Sequence, residues 1–117
     1  MIIRIKNLRL RAIIGLNDWE RKVQQDLILN IMLEFDGEEA GRSDDIADTV
    51  DYKAMKQRIR SEVEASQYRL LEALASHVLK LVMVDERVQR ASVEVDKPHA
   101  LRFADSVSVT CSGERSR

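Results

Sequence analysis

Hydrophobic and polar residues alternate from the start of the chain. Ile3 and Ile5 oppose Arg4 and Lys6, then Leu8 and Leu10 oppose Arg9 and Arg11. A period of two marks a half-buried β-strand, here over residues 2–14. Gly15, Asn17 and Asp18 then signal a turn. A second alternating run from Asp26 to Phe35 places Leu27, Leu29, Ile31, Leu33 and Phe35 on one face. Its other face is only partly polar, carrying Ile28, Asn30, Met32 and Glu34. Two such strands around a short connection read as an antiparallel hairpin. Gly37 to Asp51 is acidic and aperiodic, with a cap-like Ser43-Asp44-Asp45, and reads as irregular. From Tyr52 the period becomes helical, with Tyr52, Met55, Ile59 and Val63 on one side and Lys53, Lys56, Arg58 and Arg60 on the other. A second helix starts near Leu70 and shows Leu71, Leu74, Val78, Leu81 and Val82 as its apolar stripe. Two strands follow, one with Ala91, Val93 and Val95 inward and one with Val107, Val109 and Cys111.

The predicted order is ββααββ, an α+β fold with an antiparallel sheet covered by two helices on one face. Strands of this length exceed the usual ~5–6 residues. One subunit would leave both sheet edges and the apolar positions Ile28 and Met32 without cover, so self-association is expected. The 117 residues suit one domain over 1–117, with a flexible tail from about residue 113.

Composition changes the picture mainly by exclusion. Nineteen basic and 20 acidic residues give a net charge of −1, so nothing general draws the chain to nucleic acid or to an anionic membrane. Charges interrupt the apolar residues of the N-terminal segment, and no run is long enough to cross a bilayer. A single cysteine, Cys111, precludes an intrachain disulfide and fits a reducing compartment; a soluble cytoplasmic protein is expected. His77 and His99 are the only histidines, and no metal-binding spacing includes them, so no metal is expected. Cofactor signatures such as a glycine-rich dinucleotide loop or a P-loop are absent as well.

What remains is acid–base and polar recognition chemistry, and each candidate has an ordinary reading beside it. Lys97, directly before Pro98, is ordinarily a solvated strand end; held in a cleft, a lysine whose pKa is lowered by desolvation or a neighbouring cation moves protons. Glu72 ordinarily complements a helix dipole, but beside Leu71 and Leu74 it could accept two parallel hydrogen bonds from a guanidine-like ligand edge. Tyr52 ordinarily packs in the core, and Glu20 ordinarily is an exposed loop acid. Cys111 shares a face with Val107 and Val109 and reads as packing.

Taken together these residues are more specific than any one alone. Glu20 after Gly15, Gln25, Ser43-Asp44-Asp45, Asp48-Thr49-Val50-Asp51-Tyr52, Leu70-Leu71-Glu72 and Asp96-Lys97-Pro98 occur in one order. Over essentially its full length the chain resembles the dihydroneopterin aldolase and dihydroneopterin triphosphate 2′-epimerase family. The resemblance implies the tunnelling fold, in which ββααββ subunits join their sheets into a barrel, commonly as a homo-octamer, with active sites between subunits. It implies that Glu72 and main chain near Leu71 bind a pterin, that Val50 and Tyr52 come from the adjacent subunit, and that Lys97, Tyr52 and Glu20 are catalytic. No cofactor, metal or Schiff base is implied, because the pterin ring accepts the electrons of a retro-aldol cleavage that yields 6-hydroxymethyl-7,8-dihydropterin and glycolaldehyde for folate biosynthesis.

Two ends of the sequence point to different members. The run Lys97-Pro98-His99-Ala100-Leu101-Arg102-Phe103-Ala104-Asp105 is similar to the triphosphate epimerases, and aldolases more often carry glycine at His99. His99 and Arg102 are therefore candidates for binding a phosphorylated tail, although an exposed turn and a stem-packed arginine are their ordinary readings. Asp18-Trp19-Glu20-Arg21 is similar to the aldolases, whereas Leu16-Asn17 stands where aldolases commonly carry tyrosine. The expected activity is that of an aldehyde-lyase, dihydroneopterin aldolase, with accompanying epimerase activity. The alternatives are the triphosphate epimerase and, of a different class, a non-catalytic small-molecule-binding module.

Overall fold

The computed structural model describes residues 1–116. Strands β1 (Ile2–Ala12) and β2 (Gln25–Phe35) are followed by a short helix α1 (Glu38–Ser43), helices α2 (Tyr52–Glu64) and α3 (Leu71–Met83), and strands β3 (Val88–Pro98) and β4 (Ser106–Glu114). The four strands form one antiparallel sheet in the order β1-β2-β3-β4. The register aligns the predicted apolar face row by row: Ile5, Ile31, Val93 and Cys111 form one row, with Leu29, Val95 and Val109 in the next. Met55, Ile59 and Val63 of α2 and Leu74, Val78 and Val82 of α3 are buried against this face. Ile28 and Met32 project from the opposite face, where no element among the described residues lies over them, and remain half-buried.

The alternation in β1 changes phase between Ile5 and Leu8, which align with Ile31 and Leu29. One extra residue on β1 therefore makes a β-bulge. Asn7 takes a left-handed conformation (φ 52°) there, and its amide N–H donates to Asn30 Oδ1 at 2.9 Å. The phase change restores the inward direction of Leu8 and Leu10.

Two segments differ from the sequence reading. Residues 38–43 are helical rather than irregular. The Asp36 carboxylate accepts the Glu38 N–H at 3.1 Å, acids occupy the first turn, Arg42 the last, and Asp44 closes the helix at φ 54°. Capping and charge build this helix with no apolar stripe, so hydrophobic periodicity had nothing to register. Residues 113–115 of the expected flexible tail are also held by the fold. Gly113 and Glu114 continue β4, and Arg115 is tied by its amide to the Gln89 carbonyl and by its guanidinium to the carbonyls of Met83, Asp85 and Val88. Residue 117, the end of that expected tail, lies outside the described residues.

Candidate active site at the Glu20–Lys97 end

After β1 the chain turns at Gly15 (φ 127°) and enters a 3-10 turn, Asp18–Lys22, that carries Glu20. Glu20 is 5% exposed and is the one buried charged residue among those described. This overturns its ordinary reading as an exposed loop acid. Three neighbours hold its carboxylate. Asn17 donates to Oε1 from its main chain (3.2 Å) and its side chain (2.9 Å). Gln25, the first residue of β2, donates to Oε2 at 3.1 Å and also donates to the Ile14 carbonyl at 2.7 Å. Lys97, near the end of β3, donates from Nζ to Oε2 at 2.5 Å, with its side chain only 13% exposed.

Lys97 is therefore not a solvated strand end. The group facing it is a carboxylate, not the neighbouring cation considered from the sequence. Burial alone would raise the Glu20 pKa, but the hydrogen bonds from Lys97, Gln25 and Asn17 and the charge of Lys97 outweigh it, lowering the pKa from 4.5 to about 2. Glu20 thus stays ionised and acts as a fixed anion that holds the Lys97 side chain in place.

Because the folded-state pKa lies below the unfolded value, Glu20's contribution to stability is complete above about pH 4.5 and is lost as pH falls toward about 2. A shift of this size corresponds to about 3 kcal/mol. Urea unfolding between about pH 6 and about pH 3 is expected to show the wild type losing more stability than Glu20→Gln. Parallel pH profiles for the two would contradict the ionised, paired state.

The other candidates divide between two ends of the molecule. Glu72 sits in the first turn of α3, exposed, with no hydrogen-bond or ionic partner among the described residues; Leu71 beside it is half-buried. This helix start is joined to the Glu20 turn, since the Gly15 N–H donates to the Tyr68 carbonyl at 3.3 Å. His99 (φ 62°) and Arg102 follow β3, at the Lys97 end, and both are exposed.

Tyr52 and Val50 lie elsewhere. Tyr52 opens α2, whose 13 residues span about 20 Å, and α2 leads through residues 65–70 to the start of α3. Tyr52 is therefore a helix length away from Glu72 in the same chain. It is 52% exposed rather than packed in the core, whereas the Val50 side chain is buried at 1% exposure, leaving only its main chain for a ligand. The sequence reading took Asn17 as a turn residue and a departure from the aldolases, not as a donor to Glu20, and Gln25 only as part of the resemblance; a capping residue three positions before an acid was the available signal for the first.

Among the described residues no group of three or more His, Cys, Asp or Glu side chains is arranged to hold a metal, and no helix is long and apolar enough to cross a membrane.

Comparison with known proteins agrees along the whole chain. The family model for dihydroneopterin aldolase, FolB, matches residues 3–112. The chain is 43% identical over 114 residues to the dihydroneopterin triphosphate 2′-epimerase of Escherichia coli K12, covering 97% of this chain and 95% of that one. It is 31% identical over 108 residues to the dihydroneopterin aldolase of the same strain, covering 92% and 88%. The crystal structure of Escherichia coli dihydroneopterin aldolase in complex with neopterin superposes with a TM-score of 0.92 at 29% identity, over 97% of this chain and 98% of that one. The fold is accordingly the tunnelling fold of these enzymes. A model match over nearly every residue, together with relatives aligned end to end, shows that the chain belongs to the dihydroneopterin aldolase family.

Proposed function

We propose that the protein cleaves the C1′–C2′ bond of 7,8-dihydroneopterin by a retro-aldol step, releasing 6-hydroxymethyl-7,8-dihydropterin and glycolaldehyde in folate biosynthesis. The observation that carries this reading is the buried Glu20 carboxylate holding Lys97 in place. Glu72 would accept two parallel N–H bonds from the pterin's amino-pyrimidinone edge, helped by main chain at Leu71. Lys97, after giving up a proton to solvent, would as its neutral amine take the proton of the 2′-hydroxyl through a water molecule. As the C2′–O bond becomes a carbonyl, the C1′–C2′ electron pair moves to C1′ and into the conjugated C=N of the ring. Tyr52 would manage the proton that returns to C1′. The ring is the electron sink, so side chains suffice for the proton transfers. The cytoplasm, with its reduced thiols, is where we place the protein.

The site would lie between copies of the chain. Tyr52 and Val50 stand a helix length from Glu72, yet the mechanism needs them at one substrate. The β1 and β4 edges are unpaired within the chain, so main-chain pairing of these edges between copies would close a barrel and bring the two ends together. An octamer of two stacked rings is the proposed assembly.

A second reading, epimerisation of dihydroneopterin triphosphate, is favoured by the higher identity to the epimerase than to the aldolase. It uses the same cleavage, after which glycolaldehyde (here carrying the triphosphate) turns over and C1′ re-attacks its opposite face. His99 and Arg102 would then hold the phosphates. Incubation with 7,8-dihydroneopterin and separately with its triphosphate tests both. Release of 6-hydroxymethyl-7,8-dihydropterin supports the aldolase; epimer from the triphosphate with little cleavage supports the epimerase. No conversion of either substrate removes both readings and leaves a binding module.

A further inference from the structure

Arg21, the residue after Glu20, has no carboxylate partner among the described residues and spends its guanidinium on main chain. Nη1 donates to the carbonyls of Gly15 and Tyr68, both at 3.1 Å, and Nη2 donates to the carbonyl of Gln67 at 2.5 Å. Gly15 belongs to the corner against which the Glu20 carboxylate rests. Gln67 and Tyr68 belong to the connection that leads into α3 and Glu72. The same connection is also tied to α3, since the Tyr68 hydroxyl meets His77 Nδ1 at 2.7 Å. A planar guanidinium with fixed donor directions can bridge three carbonyls at once, which a point-charge ammonium cannot do with the same geometry.

We propose that Arg21 is a positioning residue, setting the distance between the Glu20–Lys97 pair and the Glu72 end of the pterin site. The inference rests on the catalytic reading above. It deepens that reading by assigning the spacing of the two halves to one side chain that touches neither substrate nor Lys97. The Glu20 carboxylate keeps its own donors without Arg21, so the pair itself survives substitution. What changes is where the pair stands relative to a pterin bound at Glu72, and misplacement by about 1 Å suffices for a large loss of rate.

The test compares wild type, Arg21→Gln and Arg21→Lys for kcat and KM on both substrates, for the affinity of unreactive neopterin, and for hydrogen exchange at the Gly15 amide. Arg21→Gln is expected to lose on the order of 10²-fold in kcat. Neopterin affinity should stay within about threefold, and Gly15 should exchange faster. Arg21→Lys, which supplies charge and some of the donors, should recover part of the rate, and it carries the test alone if Arg21→Gln fails to assemble. Wild-type kcat in a folded variant, or a change confined to KM, overturns the inference while leaving the catalytic reading intact. A wild type inactive on both substrates overturns the catalytic reading, and this inference with it.

Discussion

Lys97→Ala is expected to lower kcat by roughly 10²–10⁴-fold, the usual worth of a positioned proton-transfer group, while neopterin affinity stays within about threefold. The split follows from where Lys97 sits. Its Nζ is at the Glu20 carboxylate, at the β3 end of the site, while pterin recognition is assigned to Glu72 on α3. Substitution also removes the one cation bonded to the buried Glu20 anion among the described residues, and breaking such a pair typically costs ~3–5 kcal/mol. The Glu20 pKa then rises, because burial remains while one hydrogen bond and the lysine charge are gone. Melting near neutral pH and again near about pH 5 separates the two effects, since protonating Glu20 relieves the stability defect but restores no turnover. A fully active Lys97→Ala enzyme would remove Lys97 from the chemistry.

Gly15→Ala is expected to be the most damaging small substitution in the molecule, at about 3 kcal/mol or more, read as a fall in urea midpoint. Two causes add. At φ 127° an L-residue is strained. An added Cβ would also overlap the Glu20 carboxyl group, which cannot step aside because Asn17, Gln25 and Lys97 hold it. Gly41→Ala is the control, because nothing lies within 4 Å of its Cβ and it stands within α1, where alanine is favoured by up to about 1 kcal/mol. Equal stability of the two variants would show that the corner yields.

The sheet and the two long helices were legible in the sequence because each buries one regular face. Leu27 through Phe35 alternate without interruption, and Met55, Ile59 and Val63 keep helical spacing. The phase of β1 could be read on either side of Asn7, but the bulge itself depends on a side-chain bond to Asn30 on another strand. Helix α1 was hidden for the opposite reason, having no buried residue at all. At the site, the chain positions of Glu20 and Lys97 were visible, but their pairing was not: the contact joins residues 77 apart in sequence, and nothing local marks Glu20 as buried. Tyr52 was read as a core residue from its place on an apolar stripe, yet the ring at the first position of α2 is 52% exposed while Met55, one turn on, is buried.

The central claim is that one retro-aldol centre is completed by two copies of the chain, and co-assembly of two inactive variants tests it most directly. Lys97→Ala and Tyr52→Ala, carrying different affinity tags and co-expressed, should co-purify as mixed oligomers. In random mixtures about a quarter of the interfaces pair an intact Lys97 with an intact Tyr52. Turnover should therefore return to roughly that fraction of wild type, although each variant alone is inactive. Mixed oligomers without turnover, or tags that never co-purify, would contradict a centre shared between subunits.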